Sequence, residues 1–189
     1  MKLALLATSR SGHNFVADMI ESWLSDVKIH NLENVLPETL HQHDIDGARR
    51  VIVIREFKNF LASSLKALNI KGDTWDVNIA RKIKTYRAIK AEIDEPKYFG
   101  FFTVIEYDKF VEDQEYRKQI CKELGGEYNE DKLGIVPNEG NGSSFDGFMY
   151  QGVGHKMKTR ERYKEILNTD WADIYNRLLD ENKDLWENT

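Results

Sequence analysis

Two short stretches of this 189-residue chain hold the residue types that bind anions. The first is the turn Ser9-Arg10-Ser11-Gly12-His13-Asn14. It follows the apolar run Leu3-Ala4-Leu5-Leu6-Ala7 and precedes Phe15, Val16, Met19, Ile20, Trp23 and Leu24 at helical spacing. Backbone N–H groups at a helix N-terminus are unpaired and sit at the positive end of the helix dipole, so such a turn makes an anion site. Gly12 lets the backbone approach a ligand closely. In the ordinary phosphate loop, Gly-x-x-x-x-Gly-Lys-Ser/Thr, the lysine reaches the β- and γ-phosphates and the hydroxyl holds magnesium. Here His13 and Asn14 follow the glycine, and they are not a good hard-cation ligand pair for that role.

The second stretch is Arg50-Val51-Ile52-Val53-Ile54-Arg55, with Ser63 eight residues beyond the second arginine. A metal-dependent nucleotidase commonly ends such a strand in an acid. Arg55 would repel a metal there and draw an anion, although a lone arginine at a strand end is also readable as a solvent-facing charge. Between the two stretches lie His41 and His43. A general base should titrate near neutrality within reach of the acceptor, which histidine does; a surface position fits either of them equally, and His30 or a carboxylate are alternatives.

The elements that position these residues follow from periodicity. Residues 2–7 read as a strand buried on both faces, and a short strand is expected near Val27-Lys28-Ile29-His30. Residues 33–48 are irregular, with a brief strand possible at Thr39 to His41. The run of β-branched residues at 51–54 marks a central parallel strand. Phe57 to Leu68 predicts a helix. Asp73 and Thr74 are N-cap candidates for a longer one carrying Trp75, Ile79, Ile83, Tyr86, Ile89 and Ile93 up to Pro96. Phe101 to Ile105 predicts a strand, and Tyr116, Ile120 and Leu124 a helix ending at Gly125-Gly126. Residues 125–158 are glycine-rich and loop-like, the place for a lid or substrate loop. Arg160 to Trp186 returns to helical spacing. Strands alternating with helices predict a single α/β domain over 1–189, three-layered around a central parallel sheet, with ligands at the carboxyl ends of the strands.

Composition excludes several classes. Apolar residues make up 41% and charged residues 31%, with a net charge of −5, so neither disorder nor a nucleic-acid-binding surface is indicated. The single Cys121 excludes an intrachain disulfide and zinc-spaced cysteines, as in a reducing cytoplasmic setting. No stretch approaches the roughly 20 apolar residues that span a bilayer, and the N-terminal apolar run is too short for a signal segment. The chain reads as soluble and unprocessed, with no membrane or nucleic-acid partner.

Taken together, these residues resemble the sulfotransferases that use 3′-phosphoadenosine-5′-phosphosulfate (PAPS). In that family a Lys/Arg-Ser-Gly-Thr/His turn between strand and helix cradles the 5′-phosphosulfate, as RSGHNF (residues 10–15) would here. A strand ending in Arg, with Ser eight residues later, holds the 3′-phosphate, matching Arg55 and Ser63. The segment FTVIEYDKFVEDQEYRKQICKELGG (102–126) is similar to the family's strand, acidic-aromatic turn and following helix. GNGSSFDG (140–147), with Lys156, Lys158, Arg160 and Arg162 downstream, falls where these enzymes carry a loop over the nucleotide. Two departures stand out. His13-Asn14 replaces the usual hydroxyl pair, and the Arg-Lys-Gly-x-x-Gly motif is absent, leaving Arg160 or Arg162 to supply part of its charge.

The resemblance implies a P-loop NTPase-like fold and PAPS as donor co-substrate, with no metal. It places Arg10 on the bridging oxygen, and the loop from Ser11 through Gly12, His13 and Asn14 to Phe15 around the 5′-phosphosulfate. Arg55 and Ser63 fall on the 3′-phosphate, and Ser144, Phe145 and Arg160 over the nucleotide, Phe145 stacking on adenine. His43 is preferred to His41 as base because His43-Asp44 before the strand looks like the family's Thr-His segment. The acceptor would be a small molecule or glycan bearing a hydroxyl or amine. The rival readings are an NTP-dependent small-molecule kinase on the same fold and a non-catalytic nucleotide-binding module.

Overall fold

Alternate residues of one buried strand, β1 (Lys2–Ala7), supply the two faces on which the molecule is layered. Leu3, Leu5 and Ala7 point one way and Ala4 and Leu6 the other, as the two-residue strand period demands. The computed structural model describes residues 1–68, 75–137, 146 and 149–187. Its strands β1, β2 (Lys28–Glu33), β3 (Arg49–Ile54) and β4 (Thr103–Glu106) form one four-stranded sheet in the order β2-β1-β3-β4. All three pairings are parallel, with Leu6 opposite Leu32 on one side and Ile52 on the other.

Helices cover both faces. On one face α1 (His13–Trp23), α4 (Tyr107–Glu112) and α5 (Gln114–Leu124) bring Val16, Ile20, Trp23, Phe110 and Ile120 against Leu3, Leu5, Val51 and Val53. On the other, α3 (Trp75–Asp94) lays Ile89 beside Phe99 against Ala4, Leu6 and Ile52. A third cluster joins α2 (Phe57–Leu68) and α3 to α6 (Arg162–Ile166) and α7 (Ala172–Glu181) through Phe57, Phe60, Ile83, Tyr86, Ile166 and Tyr175. The chain is thus α/β, with a central all-parallel sheet flanked by helices. Among the described residues no helix is long and apolar enough to cross a membrane.

Several elements differ from the sequence expectation. Residues 37–42 form a 3-10 turn, not a strand at Thr39 to His41. Pro37 opens it without an N–H to give a ladder, Thr39 bonds back to the Leu36 carbonyl through both its N–H and its hydroxyl, and Leu40 is buried. The strand expected from Phe101 begins at Thr103, since Gly100 is left-handed and Phe101 is fully exposed. The helix expected through Tyr116, Ile120 and Leu124 is α5, ending at Gly125, and a separate short helix, α4, precedes it. Asp113 ends α4 and caps α5, its carboxylate accepting the Tyr116 N–H at 3.0 Å. The C-terminal helical stretch is divided into α6, α7 and short 3-10 turns. The N-cap candidates Asp73 and Thr74 lie outside the described residues.

The strand order has a functional consequence. From β1 the chain crosses to β2 on one side, whereas β3 lies on the other side, so the carboxyl ends of β1 and β3 flank a topological switch point, where ligands bind in open α/β sheets. The turn at Ser9 to Gly12 leaves one of these ends and Arg55 the other.

The path from α3 into β4 depends on a buried acid. The Glu92 carboxylate, 2% exposed, accepts the backbone N–H groups of Lys97, Tyr98 and Phe99 at 3.0, 2.9 and 2.6 Å. Glu92→Ala leaves those donors without an acceptor and should lower stability by about 3 kcal/mol in urea denaturation; a loss under about 0.5 kcal/mol would show that water replaces the carboxylate.

Candidate functional site

The turn after β1 is held open by two left-handed residues, Arg10 (φ 69°) and Gly12 (φ 82°). The second has to be glycine: a Cβ there would lie 2.0 Å from the Tyr107 ring. Gly12 is the N-cap of α1 and offers no side chain to its first N–H groups, which leaves the positive end of the helix open to a ligand. Ser9 is fixed from the other side, its N–H donating to Asn34 Oδ1 at 2.9 Å.

Arg55 leaves β3 and is not a surface charge; it is 7% exposed. Its guanidinium donates to Ser63 Oγ at 2.9 Å, to the Arg10 carbonyl at 3.3 Å and to the Thr159 carbonyl. It lies over the Tyr107 ring at 5.3 Å, and its Nε is 3.7 Å from Asp108 Oδ1. Burial pushes its pKa down while Tyr107 and Asp108 oppose, and an arginine keeps its proton under such a load. Asp108 is pushed up by burial and held down by Arg55 and by the Glu56 N–H, which it accepts at 2.8 Å.

A cavity of about 390 Å³ opens between these groups. One wall is polar: Ser9, Arg10, His13, Glu33, Asn34 and Lys82. The other is apolar: Phe15, Val111, Ile135, Val136, Pro137 and Met157. His13 is 5% exposed, and its Nε2 lies 3.3 Å from Glu33 Oε2. That hydrogen bond, ahead of the charges of His13, Lys82 and Arg10, holds the Glu33 carboxyl below its ordinary pKa against the pull of burial. Lys82 reaches in from α3 and donates to Ser9 Oγ. The arrangement provides oriented cations and a helix N-terminus for an anion, and beside them a carboxylate–imidazole pair able to take a proton.

Of the residues singled out by sequence, Arg10, Gly12, His13, Asn14, Phe15, Arg55 and Ser63 all line this cavity. Ser11 lies beneath it, fully buried, its hydroxyl without a hydrogen-bond partner. His43 and His41 do not line it. Both are exposed at the 3-10 turn, which turns Leu40 inward instead, and His41 Nδ1 lies 3.1 Å from the Glu38 carbonyl. Arg160 also stands outside, its exposed side chain 2.7 Å from Glu112, while Arg162 lines the cavity and pairs with Asp146 and Glu165. Ser144 and Phe145 lie outside the described residues. Glu33, Lys82 and Tyr107 were missed; Glu33 had a readable signal, since it ends the strand beside β1, but Lys82 is one charge among many on a long helix.

Compared with known proteins, the chain matches no family model, no curated sequence and no solved structure.

Two outcomes follow from this geometry. Gly12→Ala meets both a left-handed backbone and the Tyr107 ring, and should cost about 2–4 kcal/mol in thermal or urea unfolding. Glu33 is an acid whose folded pKa is depressed from 4.5, so its bond to His13 stabilises the fold above the unfolded value and that contribution is lost as pH falls through the folded one. The Tm gap between the native chain and Glu33→Gln should therefore be widest above about pH 5 and close in stronger acid; a gap that is constant with pH would exclude the linkage.

Proposed function

We propose that this chain is a sulfotransferase of P-loop-like fold that moves the sulfuryl group of PAPS to a hydroxyl or amine and releases adenosine 3′,5′-bisphosphate. The observation that carries the reading is the meeting of Arg55 and Ser63. Eight residues apart, they join at 2.9 Å at the same cavity onto which the Arg10–Asn14 turn and the N-terminus of α1 open. An arginine–serine pair for one phosphate and an uncapped helix start for another suit a bisphosphorylated nucleotide. A magnesium triphosphate is served less well, because Asn14 stands where the metal-binding hydroxyl belongs and β3 ends in a cation. The buried, free thiol of Cys121 fits a reducing cytoplasmic setting.

In this reading the acceptor oxygen attacks sulfur in line with the bridging oxygen of the departing phosphate. The S–O bond breaks, and its electron pair stays with the bisphosphate. Arg10 and the first N–H groups of α1 meet the negative charge that builds on that oxygen. The acceptor's proton passes to the His13–Glu33 pair, which lines the cavity as His43 and His41 do not. The apolar wall formed by Phe15, Val111, Val136 and Met157 suits the adenine.

Thermal-shift titration tests the reading. Adenosine 3′,5′-bisphosphate at a hundred times its Kd should stabilise the chain by about 2.7 kcal/mol. AMP, which lacks the 3′-phosphate, should bind at least about tenfold more weakly, the loss of one charge-assisted contact set. That preference should shrink in Ser63→Ala and nearly vanish in Arg55→Gln. Equal binding of the two nucleotides to the native chain would sink the proposal.

A further inference from the structure

One cation on the polar lining of the cavity rests against a neutral group. Lys82 extends its ammonium from α3 to the Ser9 hydroxyl, a neutral partner, and among the described residues it forms no ion pair. The nearest acid of that wall, Glu33, is already engaged at both oxygens: Oε1 accepts from Asn34 Nδ2 at 3.2 Å and Oε2 faces His13 at 3.3 Å. Arg10 bears on the same patch. Burial first and then Arg10 push the Lys82 ammonium toward its neutral form, Arg81 adds to them, and Glu33 opposes. A half-buried cation at a cavity with no acid at ion-pair distance opposes folding, and a ligand anion placed there would offset that cost.

The anion has two possible sources, the nucleotide or the acceptor. The nucleotide's phosphates have their own partners in Arg55 with Ser63 and in the Arg10 turn with α1. Lys82 stands instead with Ser9, Asn34 and Glu33, on the β1–β2 side of the cavity and next to the pair that would receive the proton. We infer that Lys82 binds a carboxylate or sulfate carried by the acceptor, so that the molecule modified is an acid-bearing phenol, alcohol or sugar rather than a neutral one. The division into donor and acceptor ends rests on the transferase reading above; the demand for an anion at Lys82 does not.

The test uses matched probes that differ by one charge, 4-hydroxyphenylacetate against its amide and glucuronate against glucose. Calorimetry is run with and without adenosine 3′,5′-bisphosphate on the native chain, Lys82→Met and Lys82→Arg. In at least one pair the acid should bind the native chain tenfold or more tightly than its neutral partner. The preference should fall to about one in Lys82→Met, persist in Lys82→Arg, and leave the Kd of the bisphosphate within about threefold. Lys82→Met should also keep or raise the ligand-free Tm, because it removes an uncompensated charge. No preference in either pair, or one that survives in Lys82→Met, overturns the inference. A tenfold loss of bisphosphate affinity in Lys82→Met also overturns it and assigns the residue to the donor. Failure of the native chain to bind bisphosphate, alongside an acid preference lost in Lys82→Met, removes the transferase reading while the anion site stands.

Discussion

The guanidinium of Arg55 ties together parts of the chain that lie far apart in sequence. Through it the end of β3 is bonded to α2 at Ser63, to the turn after β1 at the Arg10 carbonyl and to the C-terminal segment at the Thr159 carbonyl. Tyr107 and Asp108, at the start of α4, enclose it from the side of β4. Its own carbonyl accepts the hydroxyl of Tyr86 from α3 at 2.7 Å. A charge so enclosed is costly unless it is partnered; here two carbonyls and a hydroxyl accept its terminal N–H groups, and the Asp108 carboxylate stands 3.7 Å from Nε, which makes no hydrogen bond of its own.

Around that centre the chemistry is divided by strand order. Because β2 and β3 lie on opposite sides of β1, the turn after β1 faces Arg55 on one side and Glu33 on the other. The first neighbour is cationic and fixed; the second is anionic and tied to the imidazole of His13. A single loop thereby borders a buried cation on one side and a carboxylate–imidazole pair on the other.

The sequence made the frame legible where one pattern sufficed. The apolar run of β1, the β-branched run of β3 and the helix from Phe57 to Leu68 each announce themselves by local period, and the Arg10–Asn14 turn and the Arg55–Ser63 spacing fall on that frame. What stayed hidden depends on contacts distant in sequence. His43 precedes a strand and so looked poised, yet Leu40 is the residue that packs inward and the histidines face solvent. Arg160 and Arg162 are two positions apart in sequence, but only the second reaches the cavity, because the first is drawn to Glu112. Lys82 reaches the cavity because α3 passes Ser9, a neighbour 73 residues away in sequence. The boundary between α4 and α5 is set locally: Asp113 bonds to the backbone, and a side chain that can do so favours a cap over a helix interior.

The left-handed backbone of Arg10 has a consequence for how this loop trades durability against use. A residue with a Cβ at φ 69° stores about 1–2 kcal/mol that glycine would not. The most relaxed version of the turn would therefore carry glycine there and no charge. The arginine is kept in a conformation it disfavours, at the place where a cation meets the cavity, so part of the stability this fold forgoes is invested in aiming one side chain.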